Sequence, residues 1–366
     1  MSTESTTPHP LHFRYGLHRV IEPQGVLPQS AWRVDNSPAH SPQEGAEHEL
    51  VIEVERLNID AASFRQMEDE ARAAGEDLSA GVRKRVQATI DERGKMHNPV
   101  TGSGGMLLGR VARVGTQLGE PHRSLRVGDQ IATLVSLSLT PLHVREIQKV
   151  HLHTHQLEVQ GTAILFESGV WARLPDYLPQ TVALSALDVA GAGPQVTRLC
   201  TQTAPGKQVK KVLVLGGGGK SGLLVAAAAR AAGVPLIVGV ESYESAANDA
   251  ESVGLYDHLL RADARDALLL AEAATEVAGG EFDLVVSCVS APKTEMAAIL
   301  STRTGGTIYF FSMATSFTAA ALGAEGVSKD VDMLIGNGYC LGHADDTLEL
   351  LHTYPKLREL FIRRYG

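Results

Sequence analysis

The sequence predicts an α/β protein of two domains, a β-rich domain followed by a domain built on a parallel sheet. The chain has 366 residues, which is enough for two cores of ordinary size. Its first half contains short strands separated by turn residues. From Lys211 onward, continuous apolar strands alternate with helical segments, as in parallel sheets covered by helices on both faces. We place the boundary between residues 182 and 183.

The elements of the first domain follow from the spacing of its apolar residues. "ELVIEVERLNI" (49–59) suits a half-buried strand, and residues 64–94 predict two solvated helices with a glycine break. "MLLGRVARVGTQL" and "LRVGDQIATLVSL" predict two more strands, with "VGD" as a turn. "ALSALDVAGAGPQVTRLC" (183–200) predicts one helix leading into the second domain.

Six apolar segments predict the strands of the second domain: "KVLVLG", "PLIVGVE", "DHLLRAD", "FDLVVSCV", "GGTIYFFSM" and "VDMLIGNGYCLG". "GLLVAAAARAAG" and "ALLLAEAATEVAGG" predict helices that end at glycine. The final "DTLELLHTYPKLRELFIRRYG" predicts amphipathic helix.

Composition and charge exclude several classes of function. The net charge of −9 argues against a nucleic acid or an anionic membrane as partner, because either would favour a basic face. No apolar run reaches the roughly 20 residues that span a bilayer. Cys200, Cys288 and Cys340 are few and widely spaced, which suits a reducing compartment. "MSTESTTPHP" lacks the features of a secretory signal, so we expect a cytoplasmic protein.

The run "VLVLGGGGKSG" (212–222) carries the strongest local signal. A triphosphate-binding loop would need a glycine at position 214, which is Val214. Gly217, Gly219 and Gly222 instead fit the G-x-G-x-x-G turn of a dinucleotide-binding Rossmann domain. In that motif the first glycine makes the turn, the second lets the pyrophosphate approach, and the third lets helix pack on strand. The helix start then offers N–H groups to the phosphates.

Three further residues support a dinucleotide at this loop. Lys220 and Ser221 stand at the helix start, where they can contact the pyrophosphate. Glu241 ends the next strand, near the offset expected for the acid that binds the ribose 2′-hydroxyl. An acid there predicts NAD rather than NADP, because it would repel a 2′-phosphate. A solvated charge at a strand end is the alternative interpretation of Glu241.

The order of domains resembles the medium-chain dehydrogenase/reductase superfamily, as do "EHELVIEVERLNIDAASF" and "GMLLGRVARVG" followed by "LRVGDQIATL". The resemblance implies a GroES-like first domain, a Rossmann second domain and a homodimer. A closer resemblance is to the family of L-erythro-3,5-diaminohexanoate dehydrogenases. It is carried by "HRVIEPQGVLPQSAW", "LNIDAASF", "GKMHNPVTGSGG", "LVSLSLTPL", "GTAILFESG", "LDVAGA", "LGGGGKSG" and "DVDMLIGNGYCLGHA".

The closer resemblance implies a lysine-fermentation enzyme that oxidises a diamino acid with NAD. The implied reaction converts the C3 amine of L-erythro-3,5-diaminohexanoate to a ketone, which yields 5-amino-3-oxohexanoate, ammonium and NADH. A shorter β-amino acid remains open as the substrate. Two other functions also remain open: a zinc-independent quinone or enoyl reductase of the same superfamily, and a cofactor-binding structural or regulatory protein.

The sequence departs from the zinc-dependent branch of the superfamily at its ligand positions. Aligned with that branch, Asp60 and Gly105 stand where a ligand cysteine and a ligand histidine occur, and Asp188 stands near the second cysteine. Hydride transfer from an amine has no alkoxide to stabilise. We therefore expect no catalytic metal.

Candidate catalytic residues follow from what a diamino acid needs. The C3 ammonium must lose a proton before hydride leaves, so the site needs carboxylates, a cation for the substrate carboxylate and a group that titrates near neutrality. Asp60 and Asp188 are the hypothesis for the ammonium-binding pair, and a helix N-cap is the alternative for Asp60.

The loop "GKMHNPVTGSGG" (94–105) concentrates polar side chains that suit a functional loop. Lys95 is a candidate carboxylate ligand or base, and His97 a candidate base. Asn98 and Ser103 are candidate substrate contacts, with hydrogen bonds to loop backbone as the alternative for His97 and Asn98. Glu167 follows an apolar run and is a candidate for the distal ammonium, or else an ion pair with Arg173 or Arg19.

Overall fold

A computed structural model describes residues 10–37, 45–201, 208–336 and 338–366. Two compact units divide the chain, Met1–Asp188 and Val189–Gly366. This division falls somewhat later than the predicted boundary between residues 182 and 183. Nearly all of the segment examined for a secretory signal lies outside the described residues. None of the helices in the described ranges is both long and apolar enough to cross a membrane.

A six-stranded sheet with antiparallel pairing forms the centre of the first unit, in the order β6-β7-β3-β4-β5-β8. Its strands are β3 (Glu49–Ile59), β4 (Gly105–Val114), β5 (Gln130–Thr133), β6 (Leu142–His151), β7 (Gln156–Phe166) and β8 (Trp171–Arg173). β3 lies between β4 and β7, with Glu49 opposite Phe166 at one end and Asn58 opposite Gln156 at the other. The strand predicted over residues 49–59 is thus the centre of this sheet.

Two helices follow β3, as predicted: α2 (Ala61–Ala73) and α3 (Leu78–Arg93). Asp60 and Asp77 cap their N-termini by accepting hydrogen bonds from backbone N–H groups. The helices are less solvated than the sequence predicted. Each buries an apolar stripe at helical spacing, formed by Phe64, Met67, Val82, Val86 and Ile90.

The described N-terminal segment, residues 10–37, contains helix α1 (Pro10–Arg14) and the strand pair β1 (Val20–Glu22) and β2 (Arg33–Val34). A buried ion pair fastens it to β3. Arg19 donates from Nε and Nη2 to the two carboxylate oxygens of Glu49 at 2.7 and 2.9 Å, and both side chains are buried. Burial would raise the pKa of Glu49, but hydrogen bonds from His18 and Arg19 outweigh it and hold that pKa below its usual value.

A parallel six-stranded sheet forms the second unit, in the order β11-β10-β9-β12-β13-β14. This order is that of the predicted Rossmann domain, so the predicted fold class is confirmed. The strands are β9 (Lys211–Leu215), β10 (Leu236–Glu241), β11 (His258–Arg261), β12 (Phe282–Ser287), β13 (Thr302–Phe310) and β14 (Asp332–Ile335). The helices are α5 (Ala192–Thr201), α6 (Lys220–Ala231), α7 (Glu244–Val253), α8 (Ala267–Ala278), α9 (Glu295–Ser301), α10 (Phe317–Gly326), α11 (His343–Thr353) and α12 (Pro355–Tyr365).

The single helix predicted over residues 183–200 was wrong. Two helices occupy this stretch, α4 (Gln180–Leu187) and α5, with a turn over residues 188–191. A close approach accompanies the break, because a Cβ at Gly191 would collide with the backbone of Gly338. Asp188 therefore ends α4 rather than lying inside a helix.

Replacing Glu49 by Gln should lower the free energy of unfolding at pH 7 by about 3–5 kcal/mol, because Arg19 would stay buried with a weakened partner. The folded-state pKa of Glu49 is depressed, so its contribution is present above the unfolded pKa near 4.5 and is lost as pH falls through the folded pKa. The difference between E49Q and the wild type should therefore shrink at acid pH in urea unfolding. Asp35→Asn is the control: its side chain is 30% exposed, and it should cost less than about 1 kcal/mol. Equal unfolding at pH 7 for E49Q and the wild type would contradict this account.

Candidate functional site

Asp60 stands where β3 ends and α2 begins. Its Oδ1 accepts hydrogen bonds from the N–H groups of Ala62 at 2.9 Å and Ser63 at 3.4 Å, which is the N-cap of the alternative interpretation. The same Oδ1 accepts the Ser103 hydroxyl at 3.0 Å. Because these bonds all use Oδ1, the cap leaves Oδ2 of this half-buried side chain as an acceptor for an external group.

Three hydroxyls extend from Asp60. Ser63 Oγ lies 2.6 Å from both Thr101 Oγ1 and Ser103 Oγ, and the last two lie 3.1 Å apart. Ser63 is fully buried, whereas Thr101 is exposed. We call Asp60, Ser63, Thr101 and Ser103 the Asp60 cluster. It is a continuous chain of hydrogen-bonding groups from a carboxylate to the surface.

Asp188 is joined to the same end of β3 through Asn58. The Asn58 amide donates to Asp188 Oδ1 at 3.4 Å and accepts from Gln156 Nε2 at 3.2 Å. Asn58 is the second-last residue of β3, and Asp60 directly follows the last one, Ile59. The structure thus brings the two predicted ammonium ligands to one end of β3.

Gly105, which the resemblance aligns with a ligand histidine of the zinc-dependent branch, has no space for that side chain. At Gly105, where φ is +114°, a Cβ would collide with the Asn58 carbonyl oxygen, so this backbone has no room for a histidine. Among the residues that the structure describes, no three or more His, Cys, Asp or Glu side chains are grouped so as to hold a metal ion.

Lys95 contacts the N-terminal segment. It is fully buried, and its Nζ donates to the carbonyl oxygens of Pro28 at 2.5 Å and Gln29 at 3.4 Å. Burial and the neighbouring Arg93 lower the pKa of Lys95 to about 8. The ammonium thus has a structural contact that the sequence did not predict, while its role toward a substrate stays a prediction.

His97 and Asn98 shape the loop in which they lie. Asn98 is buried, accepts from the N–H groups of Val100 and Thr101 at 2.8 and 3.3 Å, and donates to Gln66 at 2.9 Å. Burial, followed by Lys95 and Arg93, lowers the pKa of His97, while a hydrogen bond to the Gly102 backbone opposes the shift. Both side chains have the backbone contacts of the alternative interpretation.

The structure does not bring Glu167 to this group. It follows β7 at the end where Phe166 pairs with Glu49, whereas Asp60 follows the opposite end of β3. The 11 residues of β3 span about 30 Å. That distance is beyond the reach of one small substrate, so Glu167 leaves the candidate set. The ion pairs considered for it are also absent among the described residues, because Arg173 contacts Asp129 and Arg19 contacts Glu49.

The glycine-rich loop of the second unit joins β9 to α6. Its sharp turn is at Gly216, with φ of +79°, one residue before the predicted turn residue Gly217. Gly222 packs against the turn itself rather than against β9, because a Cβ there would collide with the Gly216 carbonyl oxygen. Gly219 is the exposed N-cap of α6, and the nearest atom to a Cβ there is 3.6 Å away. Lys220 and Ser221 form the first turn of α6.

Glu241, the last residue of β10, holds this loop. Its Oε2 accepts the Gly218 N–H at 3.1 Å, and its Oε1 accepts the N–H groups of Ser242 and Tyr243 at 2.9 and 3.0 Å. The residue is 8% exposed. A carboxylate offers about four acceptor positions, so three backbone bonds leave one for a ligand hydroxyl.

Several residues at these sites were not predicted. Asn58 could have been found by its spacing of two from Asp60, and Ser63 by its place in "NIDAASF". Gln156 and Tyr256 carry no local signal. The Tyr256 hydroxyl lies 2.9 Å from the carbonyl oxygens of both Gly217 and Gly222, and this contact links the two ends of the loop.

Comparison with known proteins gives two family matches. Residues 18–175 match the L-erythro-3,5-diaminohexanoate dehydrogenase N-terminal domain, and residues 222–335 match the family described as zinc-binding dehydrogenase. The L-erythro-3,5-diaminohexanoate dehydrogenase of Acetoanaerobium sticklandii is 45% identical over 355 residues, which cover 96% of this chain and 98% of that relative. The enzyme of that name from Fusobacterium nucleatum subsp. nucleatum is 45% identical over 360 residues, with the same shares covered.

Solved structures show similarity of fold at low sequence identity. A mycobacterial protein in complex with NADPH is 17% identical, with a TM-score of 0.53, and covers 90% of this chain and 91% of that one. At this identity the comparison concerns the fold alone.

Two glycine variants distinguish the packing of the glycine-rich loop from the approach of a dinucleotide to it. Gly222→Ala should lower the free energy of unfolding by about 1–3 kcal/mol, because its Cβ meets backbone. Gly219→Ala should change it by less than about 1 kcal/mol but weaken dinucleotide binding, because its Cβ extends into the open space beside the helix start. Urea unfolding and titration with NADH check both. Wild-type NADH affinity in Gly219→Ala would contradict the prediction that the pyrophosphate binds at the start of α6.

Proposed function

Because the chain belongs to the family of L-erythro-3,5-diaminohexanoate dehydrogenases, we propose that it catalyses the NAD-dependent oxidative deamination of this diamino acid at C3. The diamino acid, NAD⁺ and water would give 5-amino-3-oxohexanoate, ammonium, NADH and a proton. The assignment to this family rests on 45% identity to two of its members over 96% of the chain. Within the structure, the placement of Asp60 and Asp188 at one end of β3 is the observation that supports the chemistry.

The reaction sets requirements for the protein. The C3 ammonium must become a neutral amine, because only its lone pair can expel hydride from C3 and form an iminium. Water then adds to the iminium carbon, and ammonia leaves as the ketone forms. The protein must therefore bind an ammonium, remove a proton and admit water.

Residues of the second unit are suited to hold a nicotinamide dinucleotide. The first turn of α6, with Gly219, Lys220 and Ser221, would bind the pyrophosphate, and Gly217 and Gly222 give the loop its shape. The free acceptor position of Glu241 would take one ribose hydroxyl, which favours NAD over NADP. When bound, the cofactor supplies the hydride acceptor.

Carboxylates of the first unit are suited to the ammonium groups. Asp60 offers Oδ2, and Asp188 is oriented by the Asn58 amide. We assign the C3 ammonium to this pair. Lys95, His97 and Asn98 would act on the loop and the N-terminal segment rather than on the substrate, since their contacts lie there.

The Asp60 cluster offers a path for the proton. Ser103 donates to Asp60, and the hydroxyls of Ser103, Ser63 and Thr101 lie within hydrogen-bond distance of one another. Each hydroxyl can donate and accept, so a proton released from the ammonium would pass along this chain to exposed Thr101. No step is assigned to a metal, because Gly105 leaves no room for the ligand that a zinc site would need.

The quinone or enoyl reductase alternative has less support. Relatives at 45% identity carry the diaminohexanoate dehydrogenase name, and an apolar enone has no group for two carboxylates to bind.

The predicted homodimer and cytoplasmic location stay predictions. Edge strand β14 and the chain after it expose Ile335 (57%) and Leu341 (83%), which suits pairing of two copies along that edge.

Purified protein should form NADH from L-erythro-3,5-diaminohexanoate and NAD, with release of ammonia, followed by absorbance at 340 nm. NADP should support a kcat/KM at least about 100-fold lower, because Glu241 repels the 2′-phosphate. Treatment with a chelator should leave the rate unchanged. Loss of activity that zinc restores would contradict the assignment without metal, and turnover of quinones or enones with NADPH alone would contradict the proposed reaction.

Asp60→Asn and Asp188→Asn should each lower kcat/KM by about 100-fold or more, since each removes a charge that binds or deprotonates the ammonium. Asparagine caps a helix about as well as aspartate, so Asp60→Asn should keep the wild-type unfolding midpoint. Asp77→Asn is the matched control, because Asp77 caps α3 in the same way. It should retain wild-type kinetics. Wild-type kinetics in either test variant would remove that residue from the site.

A further inference from the structure

Helix α12 contacts the glycine-rich loop through one side chain. The Arg364 guanidinium donates from Nη1 to the Gly218 carbonyl oxygen at 2.8 Å. Its Nε and Nη2 donate to Asp249 Oδ2, in α7, at 2.8 and 2.6 Å. Arg364 thus connects α12 and α7 to the loop that follows β9.

The contact fixes one particular peptide. The Gly218–Gly219 peptide is bonded by Arg364 at its oxygen and by the Gly216 carbonyl at its N–H, at 3.3 Å. The preceding peptide is held by Glu241, which accepts the Gly218 N–H. Glycines flank this peptide on both sides, so no side chain of the loop restricts its rotation. The restraint on its oxygen comes from the side chain of Arg364, which is distant in sequence.

The orientation of this peptide matters for an anionic ligand. Gly219 is the N-cap of α6, so the Gly218–Gly219 peptide directly precedes the helix start. A rotated peptide would direct its carbonyl oxygen elsewhere, and a carbonyl oxygen facing a pyrophosphate is repulsive. Hydrogen bonds from a charged donor are roughly twice as strong as neutral ones, which suits Arg364 to hold this oxygen in place.

We propose that Arg364 is a positioning residue for the dinucleotide, holding the Gly218–Gly219 peptide in the orientation that pyrophosphate binding requires. The inference rests on the proposed use of a nicotinamide dinucleotide. Arg364 acts through the loop backbone and sets cofactor affinity, while the chemical step proceeds on the first unit's carboxylates.

Arg363 provides a matched control. It donates to Asp249 Oδ1, from the same turn of α12, and among the described residues it makes no hydrogen bond to the loop. Arg363→Gln and Arg364→Gln remove the same formal charge from neighbouring positions. An effect of charge alone on an anionic cofactor would appear in both variants, whereas the loss of the Gly218 contact occurs in one.

The experiment compares the full-length wild type, Arg363→Gln and Arg364→Gln by direct binding and by kinetics. Arg364→Gln should raise the Kd for NADH, NAD and ADP-ribose about tenfold, and Arg363→Gln should stay within about twofold of the wild type. Adenosine, which lacks the pyrophosphate, should bind all three proteins equally. At saturating NAD, kcat and the KM for the diamino acid should change by less than about twofold in Arg364→Gln.

Arg364→Lys keeps the charge next to Asp249 but lacks the planar fork that reaches two acceptors at once. It should fold with a wild-type melting temperature and show the same loss of NADH affinity, which keeps the test valid if Arg364→Gln unfolds. Wild-type affinity in both Arg364 variants, or an equal loss in Arg363→Gln, would overturn the inference while the proposed function stands. If the wild type binds neither NAD nor ADP-ribose, the proposed function fails and the inference fails with it.

Discussion

A close approach of two backbones at the start of β4 is the constraint on which the first unit's site depends. At Gly105 the chain passes so near to β3 that even one methyl group would collide with the Asn58 carbonyl. This approach docks loop 94–105 onto the end of β3, where the Asp60 N–H donates to the Gly104 oxygen at 3.3 Å. In this position of the loop, the Ser103 hydroxyl donates a hydrogen bond to Asp60. A bulkier residue at position 105 would separate the hydroxyls from the carboxylate.

Each unit uses one carboxylate for both folding and the proposed chemistry. Asp60 caps α2 and accepts from Ser103 on one oxygen, which leaves the other oxygen, the one that the proposed function assigns to an ammonium. Glu241 accepts from three backbone N–H groups and has one acceptor position left, the one that the proposed function assigns to a ribose hydroxyl. Structural hydrogen bonds to such a carboxylate also restrict its rotamers, so the free acceptor position has a defined direction. Substitution of either residue therefore affects local backbone as well as ligand binding, and this is why the conservative amide replacement is informative.

Features set by nearby residues could be predicted from the sequence, and features set by distant ones could not. The parallel sheet and the glycine-rich turn between β9 and α6 follow from patterns within a dozen residues. The partners of Asp188 and Gly218 do not, because Asn58 and Arg364 are 130 and 146 positions away from them along the chain. Lys95 was predicted to be a carboxylate ligand or a base from its residue type and its loop. Its contact with the Pro28 carbonyl oxygen depends on how the N-terminal segment packs, which no local pattern encodes.

Gly105 also limits which substitutions this part of the first unit can accept. By the resemblance to the zinc-dependent branch it stands where a ligand histidine occurs, and the backbone around it leaves no room for a side chain. A histidine introduced there would collide with the Asn58 carbonyl oxygen and disrupt the contact between β3 and β4. An attempt to engineer a zinc site at these positions would therefore have to rebuild the backbone of β3 or β4 as well as replace side chains.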